Sequence, residues 1–180
     1  VVRVKPSLDV AGMKYDYKET LVTHVKGQDK EVNFMGFTIN FAKMDGSELD
    51  KLLRTLLFHI EFPDANTLHY TYQQNFVKDT FDAPVEVADN KITVKMSAKE
   101  PTLKDVTFYA FQNVDGKRMH LCMDKAAFVN FHTNMQAMLL AGSNEQFDIT
   151  DAEAVNAIYN NINNAVETIK VSFVMTKAAK

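Results

Sequence analysis

The feature that most constrains the fold is a series of short segments in which apolar and polar residues alternate between tight turns. Alternation with a period of two is typical of strands that bury one face, and it is clear in residues 37–41. Asp115-Gly116 is a strong hairpin signal between two such segments. The predicted strands are residues 13–26, 31–44, 58–62, 68–72, 84–87, 91–97, 105–113 and 117–123. This order predicts about eight consecutive antiparallel strands.

Three segments have the spacing of amphipathic helices instead. They are residues 47–58, 124–141 and 152–166. Ser47 with Asp50 three residues later predicts a capping box for the first helix. Asp124 is the predicted cap of the second helix, and Gly142 is its predicted end.

The chain returns to alternation after the helices, in residues 169–175. A strand in that position has to find a sheet edge, and closing the meander removes an exposed row of backbone amides. We therefore predict a mainly β fold with three helices. It is a meander β-barrel of about eight to nine antiparallel strands, closed by the last strand. We expect a single domain over residues 1–180, because no repeat or linker interrupts the pattern.

Composition excludes several classes of protein. The net charge is −3 and 46% of the residues are hydrophobic, which argues against intrinsic disorder. Without a basic excess, a nucleic-acid partner is not expected. No apolar stretch approaches the roughly 20 residues of a transmembrane helix. Because the chain starts at Val1 rather than Met, the sequence leaves open a lost secretion signal or lipid anchor, as well as the oligomeric state.

Catalytic motifs and cofactor fingerprints are absent from the sequence, so we expect neither an enzyme nor a cofactor. Cys122 is the single cysteine, which excludes a disulfide scaffold and a cysteine-rich zinc site. A reactive pair of Cys122 with His120 or His132 is an alternative to buried, unreactive side chains, and the second interpretation is favoured.

One group of polar residues invites a metal hypothesis. His59, Glu61 and His69 lie on the polar faces of two predicted neighbouring strands. They would either approach one ion or form an ordinary solvated outer face. We favour the solvated face and predict no metal site, because two histidines and one carboxylate are a weak signal.

The order of meander, helices and returning strand resembles the lipocalin-like (calycin) family. Gly12, before the first strand, matches the glycine of the family's Gly-x-Trp motif, although Lys14 stands where the family has Trp. The chain is most similar to small lipocalin-like proteins that some bacteria export. The resemblance implies a secreted or cell-envelope protein (periplasmic or an outer-membrane lipoprotein) that binds an apolar or amphipathic small molecule.

The chain is rich in phenylalanine and methionine, with 13 Phe and 9 Met, and Met suits adaptable apolar sites. The predicted ligand-binding residues are Phe37, Phe41, Tyr70, Tyr72, Phe108, Met119 and Met123. The same side chains would form a packed core if the barrel is filled. In that case we expect a non-enzymatic structural or protein-interaction module of the cell envelope.

Overall fold

The computed structural model describes residues 3–34, 37–56, 58–74, 77–143 and 146–178. The strands are β1 (Lys14–Gly27), β2 (Val32–Phe34), β3 (Phe37–Ile39), β4 (His59–Asp64), β5 (Thr67–Gln74), β6 (Val77–Ala88), β7 (Lys91–Val94), β8 (Val106–Gln112), β9 (Arg118–Met123) and β10 (Val166–Lys177). The helices are α1 (Ser47–Thr55), α2 (Lys125–Ser143) and α3 (Ala152–Ala165), with a short 3-10 turn at Met96–Ala98. The prediction of a mainly β fold with three helices is therefore confirmed.

Eight of the strands form one closed antiparallel ring. Their order is β1-β10-β9-β8-β7-β6-β5-β4, and β4 pairs back onto β1. Strand β10 follows α2 and α3 and enters between β9 and β1. The last strand thus closes the ring, as predicted, because it joins the end of the meander to the first strand.

One predicted strand is wrong. Residues 31–44 do not form a single strand of the ring, because β2 and β3 fold back on each other as a separate two-stranded sheet. Val32 pairs with Ile39 in this hairpin. Beyond β3, Phe41 is fully buried, with its ring edge-on to Phe128 of α2 and its Cβ close to Gly27 at the end of β1.

Helix α1 packs along β1 where the short pairing between β1 and β4 ends. The Asp50 carboxylate accepts hydrogen bonds from the Thr20 amide at 2.9 Å and from the Tyr17 hydroxyl at 2.7 Å. Its other oxygen accepts from Arg54 Nε at 2.7 Å. Burial alone would raise the pKa of Asp50, but these bonds outweigh it and hold the pKa below its usual value. The predicted capping box is wrong, since Asp50 is bound to β1 rather than to the amide of Ser47.

Helix α2 begins as predicted and ends later than predicted. Asp124 Oδ1 accepts a hydrogen bond from the Ala127 amide at 3.0 Å, which satisfies one free amide of the first turn. Gly142 does not end the helix, because its φ is not positive and the helix continues to Ser143. None of the described helices combines the length and apolar character that crossing a bilayer requires.

The two ends of the ring are covered by different segments. At the helical end, where β4 begins and β9 ends, α2 packs against β8, β9 and β10. At the N-terminal end, the segment before β1 crosses the ring. The Gly12 amide there donates to the Phe62 carbonyl at 2.6 Å, and the Lys5 amide donates to the Gln112 carbonyl at 2.8 Å.

Candidate functional site

A cavity of about 60 Å³ lies inside the ring beneath α2. Every ring strand from β4 to β10 contributes to its wall, and α2 contributes Phe131, Asn134, Met135 and Met138. The strand residues of the wall are aliphatic or aromatic, and Tyr70 supplies their one hydroxyl. A wall of this kind favours an apolar group over a water molecule, because a buried water needs several polar partners.

Helix α2 fills much of the ring with one aromatic side chain. The ring of Phe131 lies edge-on to Phe173 at 5.4 Å, to Phe108 at 6.0 Å and to Phe58 at 6.4 Å between centroids. These partners come from separate parts of the wall, so Phe131 sits in the middle of the interior. The cavity is the space that Phe131 and its helix leave open.

Asparagines hold α2 in this position. Asn134 is 3% exposed, and its amide group both accepts from the Lys104 amide at 2.9 Å and donates to the Lys104 carbonyl at 2.7 Å. Asn130 donates to the Asp105 carbonyl at 3.2 Å. Lys104 also reaches α3, where its Nζ donates to Asn156 Oδ1 at 3.1 Å. The loop between β7 and β8 is thereby tied to both helices.

The cavity comes nearest to solvent between β6 and α2. Among its lining residues, Phe81 and Met138 are half-buried, whereas the others are buried. Lys99 Nζ lies 5.7 Å from the centroid of the Phe81 ring. The unbranched, flexible side chain of Met138 is well suited to move aside. The structure therefore places the mouth of the cavity at the helical end.

Tyr70 and Phe108 are the predicted ligand-binding residues that line this cavity. Tyr70 is buried, which raises the pKa of its hydroxyl, and this hydroxyl contacts the Met135 sulfur. Tyr72 lies at the rim, where burial raises its pKa to about 12 and its hydroxyl donates to Asp79 at 3.1 Å.

The remaining predicted residues lie elsewhere. Met119 is fully buried beside Gln112 near the N-terminal end, and Met123 is buried opposite Val171 at the end of β9. Phe41 packs against Phe128 of α2 and close to Gly27 of β1, and it does not line the cavity. The side chain of Phe37 lies outside the described part of the structure.

Sequence reasoning missed the contribution of α2 to the cavity. The helical spacing of Phe131, Met135 and Met138 does predict an apolar face. It does not reveal that this face enters the ring, because periodicity identifies the buried side of a helix and not its partner.

The histidines of β4 and β5 lie on the outer face of the ring. His59 has a carboxylate oxygen on each ring nitrogen, Asp16 at 2.7 Å and Glu61 at 3.0 Å. Burial alone would lower the pKa of His59, but these two bonds outweigh it and raise the pKa. His69 is hydrogen-bonded to Asp82. Within the described residues, no three His, Cys, Asp or Glu side chains are arranged to hold a metal ion.

The structure does not bring Cys122 and His132 together. Cys122 is half-buried on the outer side of β9, where its sulfur accepts a hydrogen bond from Ser172 at 3.1 Å. His132 is fully buried in α2, and its Nδ1 donates to the Phe128 carbonyl at 2.8 Å. Burial lowers the pKa of His132 to about 4. His120 is half-buried, two residues before Cys122 and on the same side of β9.

A second, more open cleft of about 360 Å³ lies on the surface between the end of β1, the start of α2 and the end of α3. Its wall includes Lys125, Asn163, Asn164 and Glu167. These are surface side chains, so they would shield a bound ligand poorly from water. The enclosed apolar cavity is the better candidate site.

Comparison with known proteins does not assign a function to this cavity. A scan of protein-family models and searches of curated proteins and solved structures found no match. The candidate function therefore rests on the ring, its cavity and the helix that covers it.

Proposed function

We propose that the chain is a lipocalin-like barrel that binds an apolar or amphipathic small molecule inside its strand ring. The observation that carries this proposal is the cavity, whose wall is apolar apart from Tyr70 and Asn134. Asn134 already uses its amide on Lys104. A ligand in this space would therefore be held by apolar contact and shape, and its polar groups would stay at the mouth.

Ligand entry requires movement, since about 60 Å³ is a small space. For comparison, a cavity of about 150 Å³ accommodates benzene. Met96, Met135 and Met138 all line the cavity, and methionine repacks at little cost. We expect these side chains to adjust as a slim apolar group enters beside Phe131.

The proposed setting is the bacterial cell envelope or the extracellular space. It is supported by the order of strands and helices and by Gly12, which is in the left-handed region at the family's motif position. Fractionation of cells that produce the full-length protein tests it. Recovery in the periplasmic, outer-membrane or secreted fraction is expected, and exclusive recovery in the cytosol would contradict it.

Binding is tested with N-phenylnaphthylamine, an uncharged fluorophore that brightens in apolar surroundings. Ala83 lines the cavity on β6, so Ala83→Leu places extra methyl groups in that space. Ala88 lies on the same strand and is exposed, which makes Ala88→Leu the matched control. Circular dichroism and thermal melts verify that each variant is folded.

We expect saturable fluorescence enhancement with the wild type and with Ala88→Leu, and at least a tenfold weaker affinity with Ala83→Leu, ~1.4 kcal/mol. Native mass spectrometry of freshly purified protein should show an adduct of small-molecule mass. No enhancement with the wild type, or equal affinity of all three proteins, would contradict binding inside the ring.

The second candidate function is a non-enzymatic structural or protein-interaction module with a filled ring. It is favoured by the position of Phe131, which contacts three aromatic residues across the interior. This function predicts no small-molecule adduct and no uptake of the fluorophore. It also predicts that Ala83→Leu leaves every binding property unchanged, so the same experiment separates the two candidates.

A further inference from the structure

Basic residues are concentrated around the β8–β9 turn at the N-terminal end of the ring. This basic tip consists of Arg3, Lys5, Lys117, Arg118 and Lys177. Three backbone contacts bring its segments together. The Val114 amide donates to the Arg3 carbonyl at 3.1 Å, the Lys177 amide donates to the Lys117 carbonyl at 2.8 Å, and Val4 forms a β-bridge with Asn113.

The cations of the tip form no salt bridges in the part of the chain that the structure describes, whereas Lys14, Lys26, Lys43 and Lys95 do so elsewhere. Asp115 is the acid of the turn, and its carboxylate accepts a hydrogen bond from the Lys117 amide at 2.9 Å. Even with Asp115 counted against its five basic residues, the tip is positive, whereas the whole chain carries a net charge of −3.

Two apolar side chains project from the same tip. Val4 is 42% exposed and Val114 is 56% exposed. The backbone hydrogen bonds between the two segments place these valines among the cations. Exposed apolar side chains surrounded by Lys and Arg are typical of surfaces that settle into the headgroup region of a bilayer.

We propose that the basic tip docks on the surface of a bilayer that contains anionic phospholipids. The cations contact the lipid phosphates, and Val4 and Val114 enter the headgroup layer. Docking by this end leaves the helical end, with Phe81 and Met138 at the cavity mouth, on the side away from the membrane. The valines favour a bilayer over a soluble polyanion, which offers no apolar layer to receive them.

The test is sedimentation of the protein with vesicles of phosphatidylcholine alone and of phosphatidylcholine mixed with phosphatidylglycerol. We expect binding only to the anionic vesicles, and weaker binding as salt is raised. Lys117→Glu with Arg118→Glu should lower the partition coefficient by at least about tenfold, since each basic residue near such a surface contributes about fivefold. Val114→Ser should lower it by a few fold.

Matched controls lie away from the tip. Lys30→Glu with Lys51→Glu makes the same change in net charge on exposed residues of other elements. Leu21→Ser removes an exposed apolar side chain, 43% exposed, from the outer face of β1. Both controls should bind anionic vesicles like the wild type.

Three outcomes would overturn the proposal. In the first, the wild type fails to sediment with anionic vesicles. In the second, the control charge reversal weakens binding as much as the tip reversal does. In the third outcome, heparin abolishes vesicle binding while Val114→Ser has no effect, which would identify a general polyanion surface. None of these measurements depends on the interior of the ring, so they are independent of the proposed ligand binding.

Discussion

Each end of the ring is clamped by a side-chain amide. At one end this amide belongs to the wall, and at the other end it belongs to the covering segment. At the N-terminal end, Gln112 belongs to the wall and holds the covering segment: Oε1 accepts from the Asp9 amide at 2.6 Å and Nε2 donates to the Asp9 carbonyl at 2.8 Å. At the helical end, Asn134 belongs to the covering helix and holds a wall loop through the amide and carbonyl of Lys104. Each end thus depends on one side-chain amide that binds both backbone groups of one residue.

The ends differ in how many groups the clamping side-chain amide holds. Gln112 has a third partner, because Nε2 also donates at 2.8 Å to the hydroxyl of Tyr15, which is fully buried. Among the described residues, Asn134 binds only the backbone of Lys104. Buried oxygens without a hydrogen-bond partner among the described residues occur near both ends, Asn90 Oδ1 and Asn113 Oδ1 at the N-terminal end and Thr133 Oγ1 and Gln136 Oε1 on α2. The clamp at the helical end is therefore the weaker of the two, and it lies on the helix that lines the cavity.

The largest expected effect comes from removing the two clamps. Gln112→Leu leaves the hydroxyl of the fully buried Tyr15 and both backbone groups of Asp9 without their hydrogen bonds, and it should lower the free energy of unfolding by about 4 kcal/mol. Asn134→Leu should cost about 2 kcal/mol, because water can reach the half-buried Lys104 loop. Urea unfolding measures both. Faster uptake of N-phenylnaphthylamine is expected for Asn134→Leu alone, and equal rates for the two variants would break the comparison.

Glycines near the two ends show a second difference, in backbone packing rather than in hydrogen bonding. A Cβ on Gly27 would lie 2.5 Å from the Ala165 carbonyl oxygen and 2.6 Å from Phe41 Cβ. Gly27→Ala should therefore cost about 3 kcal/mol, since the backbone of α3 has to shift. Gly12 has φ +78° and open space around it, so Gly12→Ala should cost only about 1 kcal/mol of backbone strain. Thermal and urea unfolding should rank them in this order, and the reverse order would refute the assigned packing.

Acidic pH should lower the free energy of unfolding through His132 of α2, at the helical end of the ring. Burial lowers the pKa of His132 to about 4, so between the unfolded value of about 6.5 and pH 4 the unfolded chain binds the proton more tightly. Stability is full above about pH 6.5 and falls with acidification, by about 2 kcal/mol between pH 7 and 5. Urea unfolding across this range measures the slope.

The matched variant for acid sensitivity is His132→Gln, which keeps a side-chain donor near the Phe128 carbonyl and has no charge to gain. Its stability should be nearly flat between pH 7 and 5. His59 contributes in the opposite window, because its raised pKa gives stability that is complete below about 6.5 and is lost as the pH rises through the folded value. An unchanged acid slope in His132→Gln would show that another group carries it.

Local patterns were sufficient to predict the ring but not what fills it. Alternation identified β10, and the cost of an open sheet edge predicted where it would pair. Residues 31–44 also alternate, yet they form a hairpin beside the ring, because the burial of Phe41 against α2 is decided by tertiary packing. Asp50 shows the same limit. Its position in the chain fits a helix cap, but an unpaired amide on β1 competes for it.

The candidate site could be predicted only in part. Tyr70 and Phe108 follow from strand periodicity, which shows that their side chains face inward. Met119 and Met123 face inward by the same rule but lie near the ends of their strand, away from the cavity. The height of a side chain along the ring depends on strand register and on where α2 enters, and neither can be read from one strand.

Methyl NMR of the methionines tests the central claim most directly, because these residues sample both ends of one interior. Met135 and Met138 line the cavity beneath α2, whereas Met119 and Met175 are fully buried as cross-strand partners beyond it. We predict that titration with N-phenylnaphthylamine shifts the methyl signals of Met135 and Met138 to saturation and leaves those of Met119 and Met175 in place. Unshifted signals throughout, or equal shifts at all four methionines, would contradict a ligand site at the helical end of the ring.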